Sequence, residues 1–332
     1  MHAAWYEKNG PAKDVLKYGE LPTPTPGPGE VRIRIAFSGV NPSDVKSRGG
    51  RRPVTGDRVI PHSDGSGFID AVGEGVEPSR VGERVWTWNA QYQRPYGTAA
   101  EYITLPAIQA VPLPESVSLE AGACLGIPAL TALRAVDLAH LGSGDTVLVI
   151  GGASAVGYYA MQIARARGAR VLATVGSEVK SEFLRAAGFS DLIQYKKENV
   201  AERVLAMTGN TGVNAIIDMD FSSSCALVEQ GVLSPHGRFV SYGSNEYGHT
   251  PLHFPSWLWR SLTLHFFLIY ELTAEQRVRT VEGLQALLEE GLLDHHIGRV
   301  LPLSEIVAAH EAVEHGAQGN VVLDCGNASV PG

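Results

Sequence analysis

Polar and apolar residues alternate along residues 30–37, Glu30-Val31-Arg32-Ile33-Arg34-Ile35-Ala36-Phe37, which is the period of a strand with one buried face. The preceding stretch 22–29 carries proline at alternate positions and glycine at its end, so it reads as an extended loop that cannot pair in a sheet. Further short strands are expected at 68–72, 84–88 and 101–105, separated by glycine-rich turns, the texture of a barrel or sandwich. Near Ser118 the texture changes. An apolar run at 146–150 leads into a helical stretch at 156–168. A strand at 170–175, a helix at 178–187, strands at 191–195 and 214–219 around a helix at 198–207, and strands at 238–242 and 263–268 follow. Such alternation predicts βαβ units and a parallel sheet. A long helix is expected at 274–290, with Thr273 as N-cap and Val278, Val281, Leu284, Leu287 and Leu288 on one face. The tail reads as a strand at 299–301, a helix opened by Ser304 with Glu305 in its first turn, and a strand at 321–324.

The chain has 332 residues, 44% of them hydrophobic and 19% charged, enough for about two domains with sizeable cores. A net charge of −8 argues against nucleic acid as the main partner, because phosphate binding concentrates Lys and Arg. The uncharged run 146–164 resembles a membrane span by hydropathy alone. Its Gly151, Gly152, Ser154, Gly157 and Gln162 and its change of period point instead to a strand, a turn and a helix, and no membrane partner is expected. The start of the chain shows no basic segment followed by an apolar one, and three widely spaced cysteines, Cys124, Cys225 and Cys325, fit a reduced, cytoplasmic protein.

The chemistry concentrates at 145–157, Asp145-Thr146-Val147-Leu148-Val149-Ile150-Gly151-Gly152-Ala153-Ser154-Ala155-Val156-Gly157. A buried strand runs through small residues into a helix, the arrangement in which backbone N–H groups at a helix start receive a pyrophosphate. Gly152 and Gly157 occupy the first and third positions of a G-x-G-x-x-G fingerprint, and Ser154 replaces the second glycine. A site for NAD places Asp or Glu at the end of the next strand to hold the ribose 2′-hydroxyl. Here that strand ends in Gly176-Ser177, Glu178 comes only at the start of the next helix, and Lys180 follows, so NADPH is the expected cofactor.

Four stretches carry a family resemblance: Gly39-Val40-Asn41-Pro42-Ser43-Asp44, Pro61-His62-Ser63-Asp64-Gly65-Ser66-Gly67, the segment 123–132 (ACLGIPALTA) and the glycine turn. Together they resemble the zinc-free quinone oxidoreductase (zeta-crystallin-like) branch of the medium-chain dehydrogenase/reductase superfamily. The resemblance implies an α/β protein with a GroES-like β-barrel domain at 1–120 and 297–332, and a Rossmann doubly wound parallel-sheet domain at 121–296. Zinc-dependent branches hold their metal through Cys, His and Cys, with Glu beside the His. Here Asn41, Ser63 and Ile127 fall at the ligand positions and Asp64 at the Glu, so no metal is expected. His62 is displaced by one residue from the ligand position. The stretch 88–97 is short and lacks the cysteines of a structural zinc lobe.

The resemblance further implies that Asn41 and Thr131 line the nicotinamide pocket, and that Lys46 stands where this branch often has Tyr. Ser154, Ala155 and Val156 match the phosphate turn. Ser177, Lys180 and Tyr195 match a 2′-phosphate pocket. Gly243 and Ser244 match the turn after the fifth Rossmann strand, Phe267, Leu268 and Ile269 the strand end beside the carboxamide, and Asn320 lies near the last contact. The expected activity is NADPH-dependent reduction of a quinone by metal-free hydride transfer. An enone or enoyl reductase and a non-enzymic NADPH-binding protein are the alternatives. The donors available for the developing oxyanion are the Asn41 amide, the Lys46 ammonium and water. Asp44 reads equally as a pocket acid or a structural cap. The aromatic stretch 254–260 suits a subunit contact, the substrate cleft or simple core packing, and a homodimer is expected from the family's edge-to-edge pairing.

Overall fold

A computed structural model describes residues 1–54 and 56–327. The chain divides into two compact units, one made of Met1–Ile127 and the segment from His295 onward, the other of Pro128–Asp294.

The alternating segment of the first unit is a strand, Glu30–Val40, at the centre of a seven-stranded sheet. It pairs antiparallel along one side with Asp64–Val72. On the other side its first half pairs with Tyr102–Pro106 and its second half with Asn320–Asp324. The C-terminal segment thereby supplies the two strands at one end of a sheet whose other strands come from the first 112 residues. Val31, Ile33 and Ile35 are fully buried with Ile69, Ile103, Leu105 and Leu323, so one face of the alternation forms the core.

Short elements join the strands expected in this unit. His2–Trp5 and Lys17–Glu20 pair as a separate two-stranded sheet, and short helices form at Ala12–Val15 and Pro42–Lys46. These elements have four or five residues, too few for a period to register in the sequence. Ser304 is not a helix cap, because a 3₁₀ turn, Leu303–Glu305, precedes the helix Ile306–Glu314.

The second unit carries a six-stranded, all-parallel sheet. Its spatial order is Leu192–Gln194, Arg170–Val175, Thr146–Val149, Val213–Asp218, Leu233–Ser241, Thr263–Phe266. In sequence terms this is 3-2-1-4-5-6, with the order reversing between the first and fourth strands, where doubly wound sheets bind their ligands. The helix Ala155–Ala166 follows the uncharged strand directly, and no helix among the described residues is long and apolar enough to cross a membrane. The long helix Ala274–Glu289 begins at Thr273 as expected, in a capping box with Gln276. Its buried face is Arg277, Thr280, Leu284 and Leu288, whereas Val278 is exposed. The difference arises because Arg277 turns inward to donate to the Ile269 carbonyl, which the count of apolar positions could not register.

A buried polar chain ties the C-terminal helix to the first unit's sheet. Thr98 Oγ1 donates its single hydrogen to the Asp64 carbonyl at 2.5 Å, so Ser38 must donate to Thr98 at 2.8 Å. Ser38 then accepts from His62 Nδ1–H at 2.8 Å, which leaves His62 Nε2 as acceptor for His310 Nε2–H at 3.0 Å. Both imidazoles are fully buried and stacked. Burial pushes the His62 pKa down to about 3 and, with help from His62 and Arg48, holds His310 well below the usual histidine range. Both rings are therefore neutral when folded, while the unfolded chain takes up protons below about pH 6.5. Stability from this pair is complete above about pH 7 and is lost as the pH falls, for His62 at about 1.4 kcal/mol per pH unit until the pH nears 3. Urea midpoints measured between pH 7 and pH 4 should fall steeply in the wild type and more gently in His310→Gln; parallel profiles would show that the pair is not responsible.

Candidate functional site

The strand Thr146–Val149 ends and the chain turns at Gly151, which adopts φ 73°. This is the left-handed conformation that glycine tolerates best. Thr174 of the neighbouring strand anchors the turn, its Oγ1 accepting from Gly151 N–H at 2.8 Å and its carbonyl from Gly152 N–H at 3.0 Å. Ser154 then caps the helix Ala155–Ala166 by accepting from Gly157 N–H at 3.0 Å. A Cβ on Gly157 would lie 2.3 Å from the Gly151 carbonyl oxygen, so only glycine lets the helix start pack this close to the turn. Gly152 is constrained as well, with the Ala173 Cβ 2.7 Å from where its own Cβ would sit. The first-turn N–H groups of Ala155 and Val156 have no acceptor among the described residues. Small side chains, two open amides and a helix N-terminus fit a dinucleotide pyrophosphate. Replacement of the fingerprint's second glycine by Ser154 thus leaves the cradle open and adds a cap.

At the end of Arg170–Val175, Ser177 caps the helix Glu178–Ala186 through its bond from Lys180 N–H. Lys180 is half-buried there. The Tyr195 hydroxyl packs 3.0 Å from the Cβ position of Gly176, which brings Gly176, Ser177, Lys180 and Tyr195 to one strand end. Glu178 is engaged elsewhere: it accepts from Arg185 at 2.6 Å and from Gln194 Nε2, and these bonds hold its carboxyl below the usual range. Across the crevice, Gly243 follows the strand Leu233–Ser241 with the Met219 carbonyl oxygen 2.6 Å from its Cβ position, and Ser244 Oγ accepts from Ser222 N–H. Phe267 and Leu268 follow the edge strand, and Ile269 opens the turn Ile269–Glu271. Thr131, on the helix Leu130–Ala139, is buried and its hydroxyl has no partner among the described residues. Two anchors of the turn escaped the sequence reading. Gly151 sits outside the G-x-G-x-x-G spacing, and Thr174 looks like any strand threonine.

In the first unit, Asn41 ends the central strand and starts the helix Pro42–Lys46, forming a capping box with Asp44. Asp44 accepts from Asn41 N–H at 2.8 Å, so the cap reading of Asp44 describes the contact it makes. Burial raises its pKa to about 7 despite that bond and the nearby Arg52. The Asn41 amide nitrogen donates to Asp64 at 2.9 Å, so at least one of its hydrogens is committed inside the protein. Lys46, half-buried, closes the same short helix. Asn320 is buried and donates to the His296 carbonyl at 3.0 Å, tying the last strand to its neighbour. His62 is committed to the Ser38 and His310 pair rather than turned to the site.

The zinc positions do not fit a metal. Asn41 offers a neutral amide, Ser63 a buried hydroxyl, and Ile127 a hydrocarbon, none of them the thiolate, imidazole or carboxylate suited to Zn²⁺.

A parallel 3-2-1-4-5-6 sheet with a phosphate cradle, inserted in a chain whose ends build a separate sheet unit, defines a two-domain protein of the dinucleotide-binding class. The alcohol dehydrogenase GroES-like domain family matches residues 27–115, and the zinc-binding dehydrogenase family matches residues 155–285. The quinone oxidoreductase of Pongo abelii is 31% identical over 291 residues, 86% of each chain. Among solved structures, an NAD-dependent alcohol dehydrogenase superposes with a TM-score of 0.88 at 29% identity, covering 98% of this chain and 100% of the other. A mycobacterial protein complexed with NADPH gives 0.86 at 28% identity over 100% of both chains. The CurK enoyl reductase gives 0.86 at 25% identity over 97% of this chain and 98% of its own. The chain belongs to the quinone oxidoreductase branch of the medium-chain dehydrogenase/reductase superfamily, with a GroES-like and a Rossmann domain.

Proposed function

We propose that the protein reduces quinones with NADPH by hydride transfer, without a metal, as a cytoplasmic homodimer. The observation that carries the reading is the pair of features in the two units: an intact pyrophosphate cradle at Gly151 to Gly157, and zinc positions filled by Asn41, Ser63 and Ile127. Glu178, engaged by Arg185 and Gln194, is not set to receive a ribose hydroxyl, whereas Ser177, Lys180 and Tyr195 supply two hydroxyls and an ammonium suited to a 2′-phosphate. Bound NADPH supplies the hydride. The chain's own part is to hold the pyrophosphate on the Ala155 and Val156 amides, to offer the unpartnered Thr131 hydroxyl to the nicotinamide end, and to place the Lys46 ammonium where an oxyanion develops. A quinone is electrophilic enough to need no Lewis acid, and the hydroquinone anion formed by hydride addition takes one proton from water. Alcohol oxidation needs an alkoxide, which a zinc ion normally generates. The likeness to an enoyl reductase favours enones as the second substrate class. Three buried free cysteines support a reducing compartment. The dimer reading is supported by the edge strand Thr263–Phe266, which has a neighbour on one side only, and by the adjacent Phe254, Leu258 and Phe266, all exposed, with Trp259 82% exposed. Trp257 of the same stretch is buried against Phe239.

Loss of reduced-nicotinamide absorbance should follow addition of 1,4-benzoquinone or a naphthoquinone and survive exhaustive chelation, with no turnover of ethanol. Enone turnover far above quinone turnover would transfer the assignment to the second class, and tight NADPH binding with no acceptor would identify a binding protein. Lys180→Ala should weaken NADPH by roughly 1–2 kcal/mol, the scale of a charge-assisted contact on a partly exposed phosphate, and leave NADH nearly unchanged. Equal weakening of both cofactors would remove Lys180 from the phosphate pocket. Sedimentation should give twice the chain mass for the wild type and a monomer, or a concentration-dependent mixture, for Trp259→Asp; a wild-type monomer would end the dimer reading.

A further inference from the structure

Two buried carboxyl groups, Asp44 and Asp64, meet Asn41 from different sides. Asp64 Oδ2 accepts from Asn41 Nδ2 at 2.9 Å and from Ile127 N–H at 3.1 Å. Asp64 Oδ1 is buried and has no hydrogen-bond partner. The point where a Gly126 Cβ would sit lies 2.5 Å from this oxygen and 2.4 Å from the Thr87 carbonyl oxygen, so the space beside Oδ1 is bordered by another acceptor. A carboxylate oxygen in that setting is a buried charge that no donor reaches. Because Oδ2 already receives two donors, a hydrogen on Oδ1 removes that charge without disturbing a bond.

The ionisable groups facing Asp64 agree with this bookkeeping. Asp44 approaches from the helix Pro42–Lys46, and the buried Cys124 thiol, itself pushed up by burial, from the segment before the turn Leu125–Ala129. No cation acts on Asp64 among the described residues. Asp44 differs: beyond the Asn41 N–H it feels Arg52, with the Tyr6 phenol on its other side. Of two like-charged groups sharing one neighbour, the group without a cation takes the proton.

We infer that Asp64 is a neutral carboxylic acid, protonated on Oδ1, that positions the turn at residues 41–46 through the Asn41 amide. Because Oδ2 receives two donors, the Asn41 side chain is held with its nitrogen toward Asp64, and the start of the short helix carrying Asp44 and Lys46 is held with it. Asp64 touches no reacting atom. It is a positioning residue, and its bearing on turnover rests on the reading that this turn borders the substrate pocket.

Asparagine reproduces a neutral acid at this place, its carbonyl oxygen taking the two donated bonds and its NH₂ replacing the Oδ1 hydroxyl. Asp64→Asn should therefore keep kcat within about threefold of wild type, whereas Asp64→Leu should lower kcat by about tenfold or more. Asn41→Ala should abolish the difference between the two variants, which a general loss of packing at Asp64 would not. Independently of turnover, infrared spectra of the wild type at about pH 8, above the value near 7 held by Asp44, should show a protonated-carboxyl band that disappears in Asp64→Asn. This readout stays decisive if the leucine variant fails to fold. Absence of the band, or an Asp64→Asn loss as large as that of Asp64→Leu, overturns the inference. Wild-type protein that shows the band but turns over no quinone leaves the proton on Asp64 and fails the functional reading instead.

Discussion

The first unit is organised around the cost of burying polar groups without water. Three segments far apart in sequence converge on Asp64: the end of the central strand at Asn41, the strand that Asp64 itself begins, and the turn at Ile127. The backbone of the same residue terminates the chain that runs from His310 through His62, Ser38 and Thr98. A charge at such a place is expensive, and a neutral hydrogen-bonded network costs less. Satisfying this one residue therefore fixes the helix that carries Lys46 and, through the histidine pair, the C-terminal helix.

The second unit solves a different problem. A pyrophosphate needs backbone amides at close range, and close range excludes side chains. Gly151 supplies the left-handed turn, Gly157 the contact with the Gly151 carbonyl, and Thr174 the anchor to the next strand. Ser154 shows that the middle position of the fingerprint accepts a small side chain when that side chain is turned back to cap the helix. The cradle thus depends on where side chains point as much as on glycine count.

Much of the parallel domain was legible in the chain because its signals are local and repeated. The strands Thr146–Val149 and Arg170–Val175 are runs of mostly buried residues, a helix follows each at short spacing, and the glycine turn sits between a strand and a helix within one stretch of chain. The strand Arg170–Val175 is recognisable from its own residues, and the start of the helix Ala274–Glu289 from the cap at Thr273. The short helix Pro42–Lys46 and the strands His2–Trp5 and Lys17–Glu20 were not, because four or five residues carry no period.

The alternation of units, the phosphate turn, the residue types at the zinc positions and the missing carboxylate after the second parallel strand can all be read along the chain. All of these are properties of neighbouring residues or of residue chemistry. The partners of these groups emerge only in the folded molecule. Glu178 stands where a carboxylate reader of ribose is nearly in place, and its role changes because Arg185 and Gln194 reach it. His62 stands beside a ligand position, and a histidine 248 residues away takes its ring nitrogen. Asn41 has the amide of an oxyanion donor, and Asp64, 23 residues on, holds that amide's nitrogen. Donors and acceptors are written in the sequence, but which of them meet, and which are left bare, depends on distances that exist only once the strands have paired.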